Sequence, residues 1–76
     1  MIENITYARG RAVELEEDIK ECETAISALK RDMQRELGGE LDTRVIRALA
    51  NKIDIFDEEL KKKRLDLKIL KQDWGI

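Results

Sequence analysis

The chain has 76 residues, which is enough for one domain with a small core. Charged residues make up 42% of it, yet the formal net charge is −2, so the composition indicates neither a nucleic-acid surface nor a membrane surface. The sequence has no histidine, the commonest general base and a common metal ligand, and no apolar run of membrane-spanning length. Its one cysteine, Cys22, has no partner for an internal disulfide, which favours a reducing, cytoplasmic location.

The first half of the chain has an apolar stripe whose members are alternately three and four residues apart. A stripe with this mean period of 3.5 residues keeps one side of a helix against a partner helix along its whole length. We predict a helix over about residues 3–37, with Asn4 or Thr6 as its N-cap. The stripe consists of Ile5, Ala8, Ala12, Leu15, Ile19, Cys22, Ile26, Leu29 and Met33.

Adjacent glycines interrupt the pattern near the middle of the chain, and the sequence contains no proline. Gly38 stands where a helix commonly ends on a left-handed residue, and Gly39 follows it. We therefore predict a turn over residues 38–41, after which Asp42 or Thr43 caps a second helix.

The second half repeats the same alternation, which predicts a helix over about residues 42–73. Gly75 then follows Trp74 as a stop signal. One member of this second stripe, Lys63, is charged, and its aliphatic stem can pack while its ammonium group reaches water. The stripe consists of Ile46, Leu49, Ile53, Phe56, Leu60, Lys63, Leu67, Leu70 and Trp74.

Two such helices joined by a short turn predict an all-α fold, an antiparallel two-helix hairpin of the coiled-coil type forming one domain over residues 1–76. Folding back at the glycines aligns large side chains with small ones, as interdigitated packing requires. The central predicted pairs are Ile19 with Leu60, Cys22 with Phe56, and Ile26 with Ile53. The matching charged pairs on one flank are Glu16 with Lys71, Glu23 with Arg64, and Lys30 with Asp57.

The opposite flank carries apolar side chains that a single seam between two helices cannot bury. This predicts an interaction face, for which two occupants remain open: a second copy, giving a four-helix bundle, or another protein. The candidate interaction residues are Tyr7, Ala25, Ala28, Leu41, Val45, Ala48, Ile55 and Ile69.

The sequence gives less support to nucleic-acid binding and to metal or cofactor chemistry than to an interaction face. The basic run from Lys61 to Arg64 lies across from acidic residues of the first helix, so nucleic acid is not a predicted partner. No Glu-x-x-His motif or glycine-containing calcium loop is present, so no metal, other cofactor or small-molecule substrate is expected.

Two segments resemble the small sporulation-type aspartyl-phosphate phosphatases, which are helical hairpins acting on response regulators. Ile26, Leu29, Lys30 and Met33 are similar to the family's first-helix pattern, and residues 50–56 are similar to its second, with Ala50 in place of its serine. The resemblance implies that Asn51 and Asp54 would orient a water against an aspartyl phosphate.

The sequence thus predicts a small non-enzymatic interaction or regulatory module that acts through a helical face in the cytoplasm. Response-regulator phosphatase activity is the alternative.

Overall fold

A computed structural model of the chain describes residues 2–76, with side chains from residue 5 onwards. It has two helices, α1 (Ile2–Leu37) and α2 (Thr43–Trp74), which pack against each other as an antiparallel hairpin. The predicted all-α hairpin is therefore confirmed. The molecule is a rod with extents of 59 × 14 × 13 Å.

Helix α1 begins at Ile2, before either predicted N-cap residue. Thr6 lies inside the helix, so the prediction that it caps the N-terminus is wrong. The backbone of Asn4 is also helical, whereas its side chain lies outside the described part of the chain. A start at Ile2 lets the seam residue Ile5 lie within the helix rather than in its first half-turn.

The turn between the helices does not begin with a left-handed residue at Gly38, as the sequence predicts. Within the described residues, positive φ occurs at Gly75 and not at Gly38, so the left-handed prediction for Gly38 is wrong. Its N–H instead bonds the carbonyls of Gln34 and Arg35 at 3.1 and 3.2 Å, and the N–H of Gly39 bonds that of Glu36. These bonds continue and tighten the last turn of α1, so the chain reverses gradually over residues 38–42.

Polar and glycine caps set both ends of α2. The Asp42 carboxylate accepts a 3.0 Å hydrogen bond from the Arg44 N–H while its own backbone is extended, as an N-cap requires. At the other end Gly75 is left-handed, with φ 66°, and the N–H groups of Gly75 and Ile76 both reach the Lys71 carbonyl. The cap prediction is thereby resolved in favour of Asp42 over Thr43.

The core lies along the predicted seam. Cys22, Ile26 and Leu60 form a buried cluster, and Ile19, Ile53 and Phe56 pack against it. These are the six residues of the three central predicted pairs, so the structure brings them together in one cluster, as the predicted alignment requires. The other buried apolar residues among residues 5–76 are Ala8, Ala12 and Leu15, all on α1.

Candidate interaction surface

One flank of the seam is closed by charge pairs between the helices. Glu16 lies 3.4 Å from Lys71, and Glu23 lies 3.2 Å from Arg64, as predicted. The two acidic residues are seven apart on α1, as the two basic residues are on α2, so both pairs fit one alignment of the helices. These side chains are about half exposed, so each pair contributes at most about 1 kcal/mol and mainly selects the orientation of the helices.

The third predicted pair on this flank, Lys30 with Asp57, does not form. Asp57 instead binds Lys61, one turn further along α2, with Nζ and Oδ2 3.2 Å apart. A hydrogen bond from the ammonium to Asp57 and the negative charge of that carboxylate raise the pKa of Lys61. The local pair wins because residues four apart on a helix are held close together by the helix itself.

The opposite flank differs between its middle and its ends. Around the middle, a shallow groove between the helices is lined by charged side chains, with Lys63 Nζ 3.4 Å from Asp18 Oδ2. Its lining residues are Arg11, Leu15, Asp18, Glu59, Lys62, Lys63 and Asp66. The apolar interaction face predicted along this flank is therefore interrupted by charge.

The two helices contribute separately to that predicted face. On α1, Ala25 and Ala28 line a shallow depression whose other lining residues also belong to α1. Tyr7 is exposed near the open end, beside Arg11 and Glu14. These three α1 residues therefore lie in depressions formed by their own helix, apart from the members on α2.

The remaining predicted members form a regular row, with Leu41 in the turn just before α2 and the others on the outer side of the helix. Leu41, Ala48, Ile55 and Ile69 fall at intervals of seven residues or a multiple of seven, and Lys62 fills the remaining position. We call these five residues the outer stripe. All five are exposed, with Ile55 60% accessible, and Val45 lies beside the stripe, 37% accessible.

Sequence reasoning missed two features next to the outer stripe. Leu65 lies one turn before Ile69 and is 55% exposed, although its position outside the seam alternation was a sufficient signal. Lys52 lies one turn before Ile55 and Glu59 one turn after it. Both are exposed, and neither forms an ion pair within residues 5–76. Only the distances between side chains in the folded hairpin distinguish these two charged residues from those that form ion pairs.

The residues implied by the phosphatase resemblance are both accessible. Asn51 and Asp54 are exposed, one turn apart on α2. Groups of three or more His, Cys, Asp or Glu side chains arranged to hold a metal ion are not found in the described part. Neither helix, over its described length, is long and apolar enough to cross a membrane.

Comparisons with protein families, with curated proteins and with solved structures return no match to this chain.

Proposed function

We propose that this protein is a small non-enzymatic interaction or regulatory module that binds a protein partner through the outer stripe of α2. The observation that carries the proposal is the exposure of Ile55 and Ile69 on one side of α2, whose seam side is already packed, together with the exposure of Leu41 in the turn just before the helix. Large apolar side chains aligned on a surface typically mark an interaction site, since water solvates them poorly.

The rigidity of the hairpin supports this role. A seam packed along α2 and capped at both ends holds the outer stripe in a fixed helical geometry. A partner can then bind without paying for the ordering of this surface. The single cysteine is buried in the seam and supports a cytoplasmic setting, in which a thiol stays reduced.

Aspartate substitutions test the proposal. Val45→Asp and Ile55→Asp should abolish partner binding while the helical circular dichroism stays unchanged, because both side chains are exposed in the hairpin. Val13→Asp is the matched control, since Val13 is an exposed valine on α1, away from the outer stripe.

Binding can be measured without knowing the partner in advance. A photo-cross-linking amino acid at position 55 should give a discrete covalent adduct in cells, with this chain or with another protein. The same group at position 13 should not. Equal, diffuse labelling from both positions would contradict the proposed function.

Response-regulator phosphatase activity is the second candidate, favoured by the exposure of Asn51 and Asp54 one turn apart. An amide or a carboxylate on a rigid helix can orient a water for attack on an aspartyl phosphate held by the regulator's own metal site. Purified protein should then accelerate phosphate release from a phosphorylated regulator, and Asp54→Ala should abolish the acceleration without altering helicity. Release at the regulator's own rate would eliminate this candidate.

A further inference from the structure

We propose that the partner of the outer stripe is a second copy of this chain, whose α2 lies antiparallel to the first with Ile55 facing Ile55 across a two-fold axis. This inference rests on the proposed function and names its partner. It is carried by the spacing of the stripe, by the charges beside it and by the area it offers.

The spacing indicates that the partner is a helix. Side chains that recur every seven residues stay in line only with a helix that winds around α2, because a straight helix drifts out of such a row. From the start of α2 at Thr43 to Ile69 the helix rises about 39 Å, at 1.5 Å per residue, and Leu41 lies in the turn just before it. The 32-residue α2 of a second copy is long enough to cover it.

The charges choose the direction. Lys52 precedes Ile55 by three residues and Glu59 follows it by four. In an antiparallel copy centred on Ile55, Lys52 of each molecule therefore lies within about 1.5 Å, along the helix axis, of the level of Glu59 in the other. A parallel copy would place like charges together, which is destabilising.

These charges have no competing partners in the hairpin. Lys52 and Glu59 make no ion pair or side-chain hydrogen bond among the described residues, whereas Glu16, Glu23, Arg64 and Lys71 are paired between the helices. The flank charges thus close the hairpin, and the charges beside the outer stripe are available to a second molecule.

Side-chain size fits the same alignment. Centring on Ile55 places Ala48 opposite Lys62 of the second copy and brings Ile69 level with the turn that carries Leu41. The small alanine leaves room for the lysine stem to cross the interface, so that its ammonium group reaches water. Lys62, the one residue of the stripe that is not apolar, therefore faces Ala48, the smallest side chain of the stripe.

The area predicts a weak dimer. A helix face about 39 Å long and 10 Å wide offers roughly 400 Å² per copy, or roughly 800 Å² in total. Stable interfaces bury about 1,200–2,000 Å², so this smaller dimer should dissociate on dilution. The unchanged chain should pass from the 8.9 kDa monomer towards twice that mass as its concentration rises towards 500 µM.

Cysteine cross-linking tests the geometry in purified protein. Ile55→Cys should form a disulfide-linked dimer about tenfold faster than Leu65→Cys, because two residues on the axis lie within disulfide reach. Leu65 is the matched control, since it has nearly the same exposure on the same helix, at 55% against 60%. Cys22 is buried, so the unchanged chain shows how far its own thiol contributes.

Direction is tested at the ends of the stripe. Leu41→Cys and Ile69→Cys should each stay monomeric alone and cross-link when mixed, which is the antiparallel result. Cross-linking of Leu41→Cys with itself would show a parallel pair and overturn the inference.

A charge exchange tests the specific contacts. Lys52→Glu and Glu59→Lys should each weaken dimerisation by roughly fivefold, measured by sedimentation equilibrium at low salt, since each opposes like charges across the axis. The double variant should recover the original affinity. This recovery would come from pairs between the two copies, because positions 52 and 59 of one chain are two turns apart and do not meet on the helix.

The outcomes separate this inference from the proposed function. A monomer at 500 µM, or cross-linking from Leu65→Cys equal to that from Ile55→Cys, would overturn the second copy as partner. If position 55 still gave a discrete adduct with another protein in cells, the interaction function would stand. If position 55 gave no discrete adduct with this chain or with any other protein, both the second copy as partner and the proposed interaction function would be overturned.

Discussion

Lys63 occupies a seam position where the alternation predicts an apolar side chain. Its ammonium group lies 3.4 Å from the Asp18 carboxylate, and the side chain is 30% exposed. Leu15 lines the same groove. The residue is accommodated because its stem spans the edge of the seam and carries the charge to a carboxylate at the surface, as an amphipathic side chain allows.

Small residues on α1 are buried more completely than the large ones on α2. Ala8 and Ala12 are buried, whereas their predicted partners Leu70 and Leu67 are half-buried. A small side chain disappears beneath a large one, but the large one keeps its outer atoms in water because only two helices are present. Leu60 is the exception on α2, and it lies in the central cluster.

Truncation of leucine should therefore depend strongly on position. Leu60→Ala should lower the free energy of unfolding by about 2–4 kcal/mol, because it leaves a cavity among Cys22, Ile26 and their neighbours. Leu65→Ala, on the same helix but exposed, should change it by less than about 0.5 kcal/mol. Urea unfolding followed by circular dichroism measures both, and similar losses would show that the seam is not where the stability lies.

The ends and interiors of the helices have different requirements for glycine. Gly75 is left-handed and completes the C-terminal cap of α2, so a side chain is strained there. Gly10 lies inside α1 with φ in the ordinary range, and an added Cβ would meet nothing within 4 Å. The first glycine is required by backbone geometry, and the second is not.

Alanine scanning of these two glycines should give changes of opposite sign. Gly10→Ala should raise the free energy of unfolding by about 1 kcal/mol, because alanine has the higher helix propensity. Gly75→Ala should lower it by about 1 kcal/mol, because the left-handed conformation is unfavourable for an L side chain. Thermal unfolding at one low protein concentration compares them. Destabilisation by Gly10→Ala would indicate a contact at Gly10 that the hairpin alone does not contain.

At the scale of the whole molecule, the hairpin is a thin rod that buries one seam. Its Cα radius of gyration is 17.1 Å over a length of 59 Å. Two helices have no third element to cover their outer sides, so the exposure of the outer stripe follows from the architecture.

Small-angle X-ray scattering checks this shape. At low micromolar concentration the radius of gyration should be close to 17.1 Å. A single continuous helix of 76 residues would be about 114 Å long, with a radius of gyration of about 33 Å. A value near the larger figure would contradict the hairpin.

The interaction face shows how far sequence reasoning reached. Val45, Ala48, Ile55 and Ile69 were identified as exposed positions of α2, since they fall outside the seam alternation, whereas Leu65 was missed. Grouping them with Tyr7, Ala25 and Ala28 was less informative, because charged side chains such as Asp18 and Glu59 line the groove on that flank. Whether the face binds a partner stays a prediction.

The sequence by itself determined the two helices, the place of reversal and the central alignment, because a 3.5-residue apolar period and a glycine pair act through local geometry. Only the tertiary structure decided which charges are satisfied within the hairpin. Asp57 forms an ion pair with Lys61 and not with Lys30, and Lys63 forms one with Asp18. Lys52 forms no ion pair among the described residues. Ion pairing depends on distances of a few ångströms between flexible side chains, and those distances exist only once the helices are packed.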